Sequence, residues 1–189
     1  MSGAVAIAYL VMMLSFNSQA QEEKRTREVY QAQAMGQSTQ MGKTFHVTIN
    51  VERYSTPEER QILVDAFQEA GSEGLYNALE KMNSKGRVAM TGTLGYDISF
   101  IRKIPTANGY KIRVLTNRPI GIGEQWVNGR TTDYNLTAFE MEVSNEKGKS
   151  TGVLLPACKF KIDKKTKELE IEAYQNPWTL QNIMDRSDE

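Results

Sequence analysis

The chain has 189 residues and carries 23 basic and 23 acidic side chains, so its formal net charge is zero. This balance gives no electrostatic reason to expect nucleic acid or an anionic membrane as a partner. Cys158 is the single cysteine, which excludes an intramolecular disulfide as a source of stability. A chain of this length buries roughly 70% of its unfolded surface, so we expect one domain stabilised by its own core.

Residues 1–20 have the composition of a secretory signal peptide. The stretch from Ala4 to Phe16 is almost entirely apolar, yet it is shorter than the roughly twenty residues that a membrane span needs. Ser18 and Ala20 are the small residues that a signal peptidase requires before its cleavage site. We expect cleavage after Ala20 and an exported protein, periplasmic or extracellular, without a membrane span in its mature form. A retained membrane anchor is the alternative.

Residues 21–43 form a second segment, rich in Gln, Glu and Ser and with little apolar periodicity. This composition predicts a flexible polar leader, in which a short helix around Glu22–Ala34 is the alternative to full flexibility. A single α+β domain then occupies residues 44–189.

The predicted domain begins with a strand and a helical hairpin. Apolar and polar residues alternate over Phe45–Val51, as they do on a strand with one solvated face. The segment Thr56–Glu59 then supplies an N-cap hydroxyl, a first-turn proline and a capping-box glutamate. Gly71 fits the C-terminal cap of this first helix, and Ser72–Met82 has the apolar spacing of a second, shorter one. We expect the apolar side of the hairpin to lie on a sheet.

From residue 86 onward, apolar residues recur at every second position, which predicts antiparallel strands. A five-residue loop, Pro105–Gly109, keeps the apolar sets of two of these strands on one face. A longer connection over residues 117–133 follows, and the tail over 178–184 has the pattern of a last strand. The predicted apolar sets are Tyr96, Ile98 and Phe100; Tyr110, Ile112 and Val114; and Phe139, Met141 and Val143.

The charge and apolar patterns of residues 158–171 predict how the two strands before the tail pair with each other. With Asp163–Thr166 as the loop, Lys161 faces Glu168 and Lys159 faces Glu170 on one side. We therefore interpret the glutamates of this strand as a solvated row of salt bridges rather than a cation site. The apolar pairs on the other side are Phe160 with Leu169 and Cys158 with Ile171.

Together these patterns predict an α+β fold. The sheet is mostly antiparallel and curved, or forms a partly closed β-barrel, and a helical hairpin is inserted after the first strand.

The sequence gives only a weak candidate site and no cofactor. His46 is the single histidine, which leaves no histidine cluster for a metal, and Cys158 lies on the apolar side of its strand as a buried small hydrophobe. The loop between Thr116 and Tyr134 gathers binding side chains on a predicted rigid sheet. The alternative is that Trp126 covers the core while two of the charged residues anchor the loop. The candidate ligand-binding residues are Arg118, Trp126, Arg130, Asp133 and Tyr134.

Four segments of the chain have recognisable motifs: Tyr54–Arg60, Leu94–Ile98, Thr116–Gly121 and Thr131–Tyr134. Taken together, they resemble a family of exported bacterial proteins whose function is unknown, and the resemblance extends over about Val47–Tyr174. The resemblance implies export and a single domain, and it implies no activity.

The function we expect from the sequence is non-enzymatic. An exported binding or envelope-interaction protein, which holds a small apolar ligand if its sheet encloses a cavity, fits the curved sheet and the lack of a convergent catalytic set. One alternative is a carboxylate-dependent hydrolase that uses Asp133 and Glu140. Another is a structural component of an assembly, with the polar leader as its partner-binding arm.

Overall fold

The computed structural model of the chain describes residues 27–118, 136–163, 169–175 and 177–187. They form ten strands, one kinked α-helix and a short 3-10 helix over Ser38–Gln40. The elements are β1 (Glu28–Gly36), β2 (Thr44–Val51), α1 (Pro57–Lys81), β3 (Gly86–Met90), β4 (Tyr96–Ile98), β5 (Phe100–Thr106), β6 (Gly109–Thr116), β7 (Leu136–Ser144), β8 (Thr151–Ile162), β9 (Leu169–Gln175) and β10 (Trp178–Asp185).

The strands form one antiparallel sheet in the order β4-β3-β2-β1-β10-β8-β7-β6-β5, and β9 lies alongside the C-terminal half of β8. Strand β4 pairs with β3 at one end of this order and β5 pairs with β6 at the other, yet only Ser99 separates β4 from β5. The Ser99 N–H also donates to the Leu115 carbonyl on β6 at 3.1 Å. Because one continuous segment belongs to both edges, the sheet curls into a nearly closed barrel. The predicted α+β class with a partly closed barrel is confirmed.

The interior of the barrel is filled by the inward-facing side chains of its strands, as the period-two pattern predicts. They reach at most 8% exposure. The predicted strand sets on β6 and β7 contribute here as expected. The interior cluster includes Tyr30, Ala34, Val47, Ile49, Val88, Ile98, Ile101, Ile112, Val114, Phe139, Met141, Leu154, Trp178 and Leu180.

Helix α1 begins with the predicted capping box. The Glu59 N–H donates to the Thr56 hydroxyl, and the Glu59 carboxylate accepts from the Thr56 N–H. The helix bends at Gly71, whose φ of 60° favours glycine, so the predicted hairpin of two short helices is confirmed. Its halves approach closely, because a Cβ on Gly74 would lie 2.1 Å from the Ala66 carbonyl oxygen.

The apolar side of α1 packs on the outer face of the barrel. Leu63, Leu75 and Leu79 are at most 1% exposed there. The opposing surface comes from β5–β8, whose outward residues complete a second apolar cluster. Its sheet members are Phe100, Leu115, Leu136, Ala138, Leu155, Cys158 and Phe160.

The sequence predicts a flexible leader over residues 21–43, with a helix around Glu22–Ala34 as the alternative. Both are wrong for Glu28–Gly36, which forms strand β1. From residue 28 this segment lies between β2 and β10, with Tyr30, Ala32 and Ala34 buried inside the barrel. The prediction is wrong because two of the three inward residues are alanines next to glutamine, and alanine adds little to an apolar pattern. The predicted signal peptide, residues 1–20, lies outside the described residues.

The connection between β5 and β6 also differs from the prediction. Thr106 pairs with Gly109 across a two-residue turn, so the five-residue loop Pro105–Gly109 is wrong. The predicted loop would pair Ile104 with Tyr110. The observed register instead pairs Lys103 with the inward residue Ile112, which places a lysine on the inner face at the end of the barrel. Phe100 was predicted to share a face with Ile98, but the break at Ser99 turns Phe100 to the outer cluster.

The β8–β9 hairpin pairs differently from the prediction: Phe160 and Lys161 are shifted by two residues, and beyond a bulge between Lys159 and Phe160 the shift is three. Lys161 lies opposite Glu170, and a salt bridge of 3.6 Å joins Lys159 to Glu172. A shift of two preserves which side each residue occupies, so the sequence pattern does not distinguish the two registers. Phe160, predicted to be buried, is 2% exposed.

Candidate functional site

The candidate loop residues do not form a described site. Arg118 is exposed at the end of β6, where its carbonyl accepts from the Thr116 hydroxyl at 2.5 Å. Trp126, Arg130, Asp133 and Tyr134 lie outside the described residues. The set of five therefore stays a prediction, and the candidate site described below is built from other residues in the described part of the chain.

A groove of about 430 Å³ lies on the outside of the barrel, between β9 and the outer faces of β6, β7, β8 and β10. We call it the outer groove. Its lining combines apolar side chains with a small number of charged ones, which is the usual character of a binding site. The side chains that matter below are Arg113, Glu140, Val153, Leu155, Ile171 and Tyr174.

The floor of the outer groove is a row of residues in register across four strands. Arg113 on β6 pairs with Glu140 on β7, Glu140 with Val153 on β8, and Val153 with Thr179 on β10. These residues point outward because their chain neighbours, such as Ile112 and Val114 beside Arg113, point into the barrel. We refer to these four residues as the outer row.

Glu140 is held at the centre of a charge cluster on this row. Arg113 donates to one Glu140 oxygen through Nε at 2.9 Å and Nη2 at 2.8 Å, and Lys111 Nζ donates to the other at 2.8 Å. Burial opposes ionisation of Glu140, but the hydrogen bond from Lys111 and the charge of Arg113 outweigh it and hold the pKa of this carboxyl below its usual range. Glu140 is therefore a fixed carboxylate at neutral pH.

Strand β9 forms the wall above this floor. Ile171 and Tyr174 line the groove, and Tyr174 is 54% exposed. Arg113 ties the wall to the floor, because its Nη1 donates to the Leu169 carbonyl at 3.2 Å. The position of β9 thus depends on the same guanidinium that holds Glu140.

A second polar cluster lies at one end of the barrel, at the start of β1 and the end of β10. One Glu28 oxygen accepts hydrogen bonds from the Tyr30 hydroxyl, from the Tyr54 hydroxyl at 2.5 Å and from Lys103 Nζ at 3.0 Å. Lys103 Nζ also lies 4.2 Å from the centroid of the Tyr110 ring. We call this the mouth cluster: Glu28, Tyr30, Tyr54, Lys103, Tyr110 and Asp185.

The electrostatics of the mouth cluster favour a fixed network. Burial opposes ionisation of Glu28, yet the hydrogen bonds from Tyr30, Tyr54 and Lys103 leave its pKa lowered. Burial, together with the bond to Asp185, raises the pKa of Tyr110 to about 12, and burial likewise raises the pKa of Tyr30 and Tyr54. At neutral pH the tyrosines are neutral donors to ionised carboxylates, so the cluster ties strands together across the mouth of the barrel.

Sequence reasoning missed both clusters for identifiable reasons. Glu28 and Tyr30 stand in the segment predicted to be a leader, and Lys103 stands one position from the residue expected to face inward. Arg113 and Glu140 meet only through the β6–β7 register, although the alternation that places Ile112 and Met141 inside already indicates that both point outward.

Two other sequence candidates behave as expected. Cys158 is 1% exposed and its thiol donates to the Leu136 carbonyl at 3.3 Å, while burial raises the thiol pKa. His46 is exposed on β2. Of the carboxylates considered for a hydrolase, Glu140 lines the outer groove and Asp133 lies outside the described residues.

Within the described part of the chain, no set of three or more His, Cys, Asp or Glu side chains is arranged to hold a metal ion. No helix in those residues has the length and apolar character needed to cross a bilayer.

Comparison of the chain with models of protein families, with curated proteins and with solved structures gave no match. The resemblance to a family of exported bacterial proteins therefore stays a prediction. The outer groove, which combines a fixed charge cluster with apolar walls, is the best candidate functional site in the described residues.

Proposed function

We propose that this protein is a non-enzymatic binding protein whose ligand occupies the outer groove. One observation carries the proposal: about 430 Å³ of open space lies between an apolar wall and a charged floor, both fixed by the sheet. Pockets of this size and mixed lining are typical of ligand sites. Val153, Leu155 and Ile171 would contact the apolar part of the ligand.

The barrel interior offers little support for a ligand. Its side chains are at most 8% exposed, with Ile98, Phe139 and Leu180 at 0%, and they pack against one another as in a solid core. Small barrels filled in this way leave no room for a molecule. Binding on the outside of the barrel is the arrangement that these observations favour.

The charged groups of the groove support binding rather than acid–base chemistry. A general acid or base works best with a pKa near the working pH. Glu140 has a lowered pKa and accepts from both Arg113 and Lys111. Such a carboxylate orients its neighbours and does not exchange protons readily at neutral pH.

The proposal is tested with an apolar fluorescent probe, N-phenyl-1-naphthylamine, titrated into the protein. We expect saturable fluorescence enhancement with the unmodified protein. Val153→Trp fills the groove from its floor and should weaken probe binding at least about tenfold. The control is Leu94→Trp, which adds the same ring at a position that is 93% exposed between β3 and β4, and it should change binding less than about twofold. Absence of binding, or equal binding by both variants, would contradict the proposal.

We propose further that the protein acts outside the cytoplasm. The proposal is supported by the apolar stretch Ala4–Phe16 and the small residues Ser18 and Ala20. Fusing residues 1–27 to alkaline phosphatase, which is active only after export, should give activity in bacterial cells. Deletion of Ala4–Phe16 should abolish that activity, and equal activity of the two fusions would refute export through this segment.

A further inference from the structure

We propose that the natural occupant of the outer groove is an extended peptide segment of another protein, which adds as a strand to the edge of β9 that lies away from β8 and places basic side chains beside Glu170 and Glu172. This inference rests on the proposed function, because it names the class of ligand for the same groove. Strand addition is a common means of peptide recognition, in which the main chain gives affinity and alternate side chains give specificity.

The first argument is the pairing of β9. It is bonded to β8 along one edge, and no other strand among the described residues pairs with it. A strand edge of this kind is a template for another chain. The edge is also bordered by the groove, since Glu170, Ile171 and Tyr174 of β9 all line that space.

The second argument is the direction of the backbone groups. The Leu169 carbonyl accepts from Arg113, whose strand β6 is not a neighbour of β9, so the peptide groups of Leu169 point away from β8. The N–H and C=O of a strand residue point to the same side, and that side alternates along the strand. The register is regular from Leu169 to Ile171, so the groups of Ile171 face the groove as well.

The third argument is charge. Glu170 lies opposite Lys161, and Glu172 is joined to Lys159 at the long distance of 3.6 Å, with its side chain 45% exposed. Lys161 and Lys159 belong to β8, on one side of β9. A strand added on the opposite side of β9 would place its own side chains next to Glu170 and Glu172. Opposite charges are favourable as cross-strand neighbours, so lysine or arginine at alternate positions fits this edge.

The same glutamates disfavour a second copy of this chain as the occupant. Antiparallel pairing of β9 with itself, centred on Glu172, would place Glu172 opposite Glu172. Centred on Ile171, it would place Glu170 opposite Glu172. Like charges directly opposite each other are destabilising, so the edge selects a basic segment from another protein.

The test uses a labelled synthetic peptide, acetyl-Thr-Val-Lys-Val-Lys-Val-Thr-amide, whose binding to the full chain is measured by fluorescence anisotropy. Its lysines share one face and its valines the other. In the proposed complex the central valine lies opposite Ile171 and the two lysines lie opposite Glu170 and Glu172, so the valine N–H groups point to the edge of β9. The lysine N–H groups point away from β9.

Two N-methylated versions of the peptide form the matched comparison. Methylation of the three valine nitrogens should weaken binding at least about tenfold, because it removes the donors to β9. Methylation of the two lysine nitrogens should weaken binding less than about threefold. A peptide with glutamates in place of the lysines should also lose at least about tenfold, and E170Q/E172Q should reduce the preference for lysine.

The outcomes separate this inference from the proposed function. Equal affinity of the two methylated peptides would overturn strand addition. Equal affinity of the lysine and glutamate peptides would overturn the basic partner. If no peptide binds while the naphthylamine probe still binds and is blocked by Val153→Trp, the inference fails and the proposed function stands. If neither binds, both fail.

Discussion

The mouth cluster and the outer groove are built around the same chemical unit, a carboxylate held by several donors, but they connect different parts of the fold. Glu28 joins β1 to Tyr54 ahead of α1 and to Lys103 on β5. Glu140 joins only Lys111 and Arg113 on the neighbouring strand. The first network therefore bridges the barrel, whereas the second lies on its outer face and reaches β9 through Arg113. The comparison teaches that burial and charge do not distinguish these two networks, whereas the strands that each network joins do.

The largest expected effect comes from removing the carboxylate of the mouth cluster. Glu28→Ala leaves Lys103 and two tyrosine hydroxyls without their acceptor and should lower the free energy of unfolding by about 3 kcal/mol. Urea denaturation measures this loss. The control is Glu146→Ala, which breaks the exposed pair with Lys149 and should change stability by less than about 0.5 kcal/mol. Equal effects of the two variants would refute a bridging role for Glu28.

A smaller and local effect is expected in the outer groove. Arg113→Ala removes the donor to Glu140 and to the Leu169 carbonyl, so β9 should open more often. We expect amide hydrogen exchange in β9 to accelerate about tenfold while exchange in β1 stays unchanged. Arg87→Ala is the control, because the Arg87 guanidinium also donates to a backbone carbonyl, that of Leu94, at an exposed site. Acceleration throughout the barrel would contradict the local role.

A matched pair of hydroxyl deletions sharpens the comparison further. Tyr54→Phe removes one donor to Glu28 and should cost about 1 kcal/mol of unfolding free energy. Tyr174→Phe removes a hydroxyl from a half-exposed ring on the wall of the groove and should cost less than about 0.3 kcal/mol. Thermal unfolding of both variants provides the measurement. A larger loss of stability in Tyr174→Phe than in Tyr54→Phe would contradict the structural role of the mouth cluster.

The smallest effect concerns acid stability. The pKa values of Glu28, Glu140 and Asp185 are lowered in the fold, so each carboxylate contributes stability that is complete above its unfolded pKa and is lost as the pH falls through its folded pKa. We expect unfolding free energy to decrease between about pH 5 and about pH 2. Glu28→Gln and Glu140→Gln should each flatten this decrease, and an unchanged slope in both would exclude these groups as its cause.

The sequence predicts those parts of the fold that depend on neighbours in the chain. The capping box at Thr56, the bend at Gly71 and the alternation of Tyr110, Ile112 and Val114 are local patterns, and the structure confirms them. Cys158 was placed correctly for the same reason.

The failures come from features with no local pattern. Strand β1 offers alanine and glutamine where a strand is expected to show larger apolar residues. The two-residue shift of the pairs at Phe160 and Lys161 leaves the faces of these residues unchanged, so alternation does not detect it. The outer groove arises because Arg113, Glu140 and Val153 line up across three strands, and only the register of distant segments fixes that alignment.

Strands β1 and β10, the first and last of the described strands, are hydrogen-bonded neighbours at the middle of the sheet order. During synthesis one side of β1 therefore stays unpaired until β10 has emerged from the ribosome. The barrel wall is completed only when Trp178–Asp185 arrives, and a nascent chain that ends earlier leaves Tyr30 and its neighbours open to solvent. Ribosomes stalled before Trp178 should consequently display protease-sensitive, chaperone-bound intermediates, whereas release of the whole polypeptide should make them disappear.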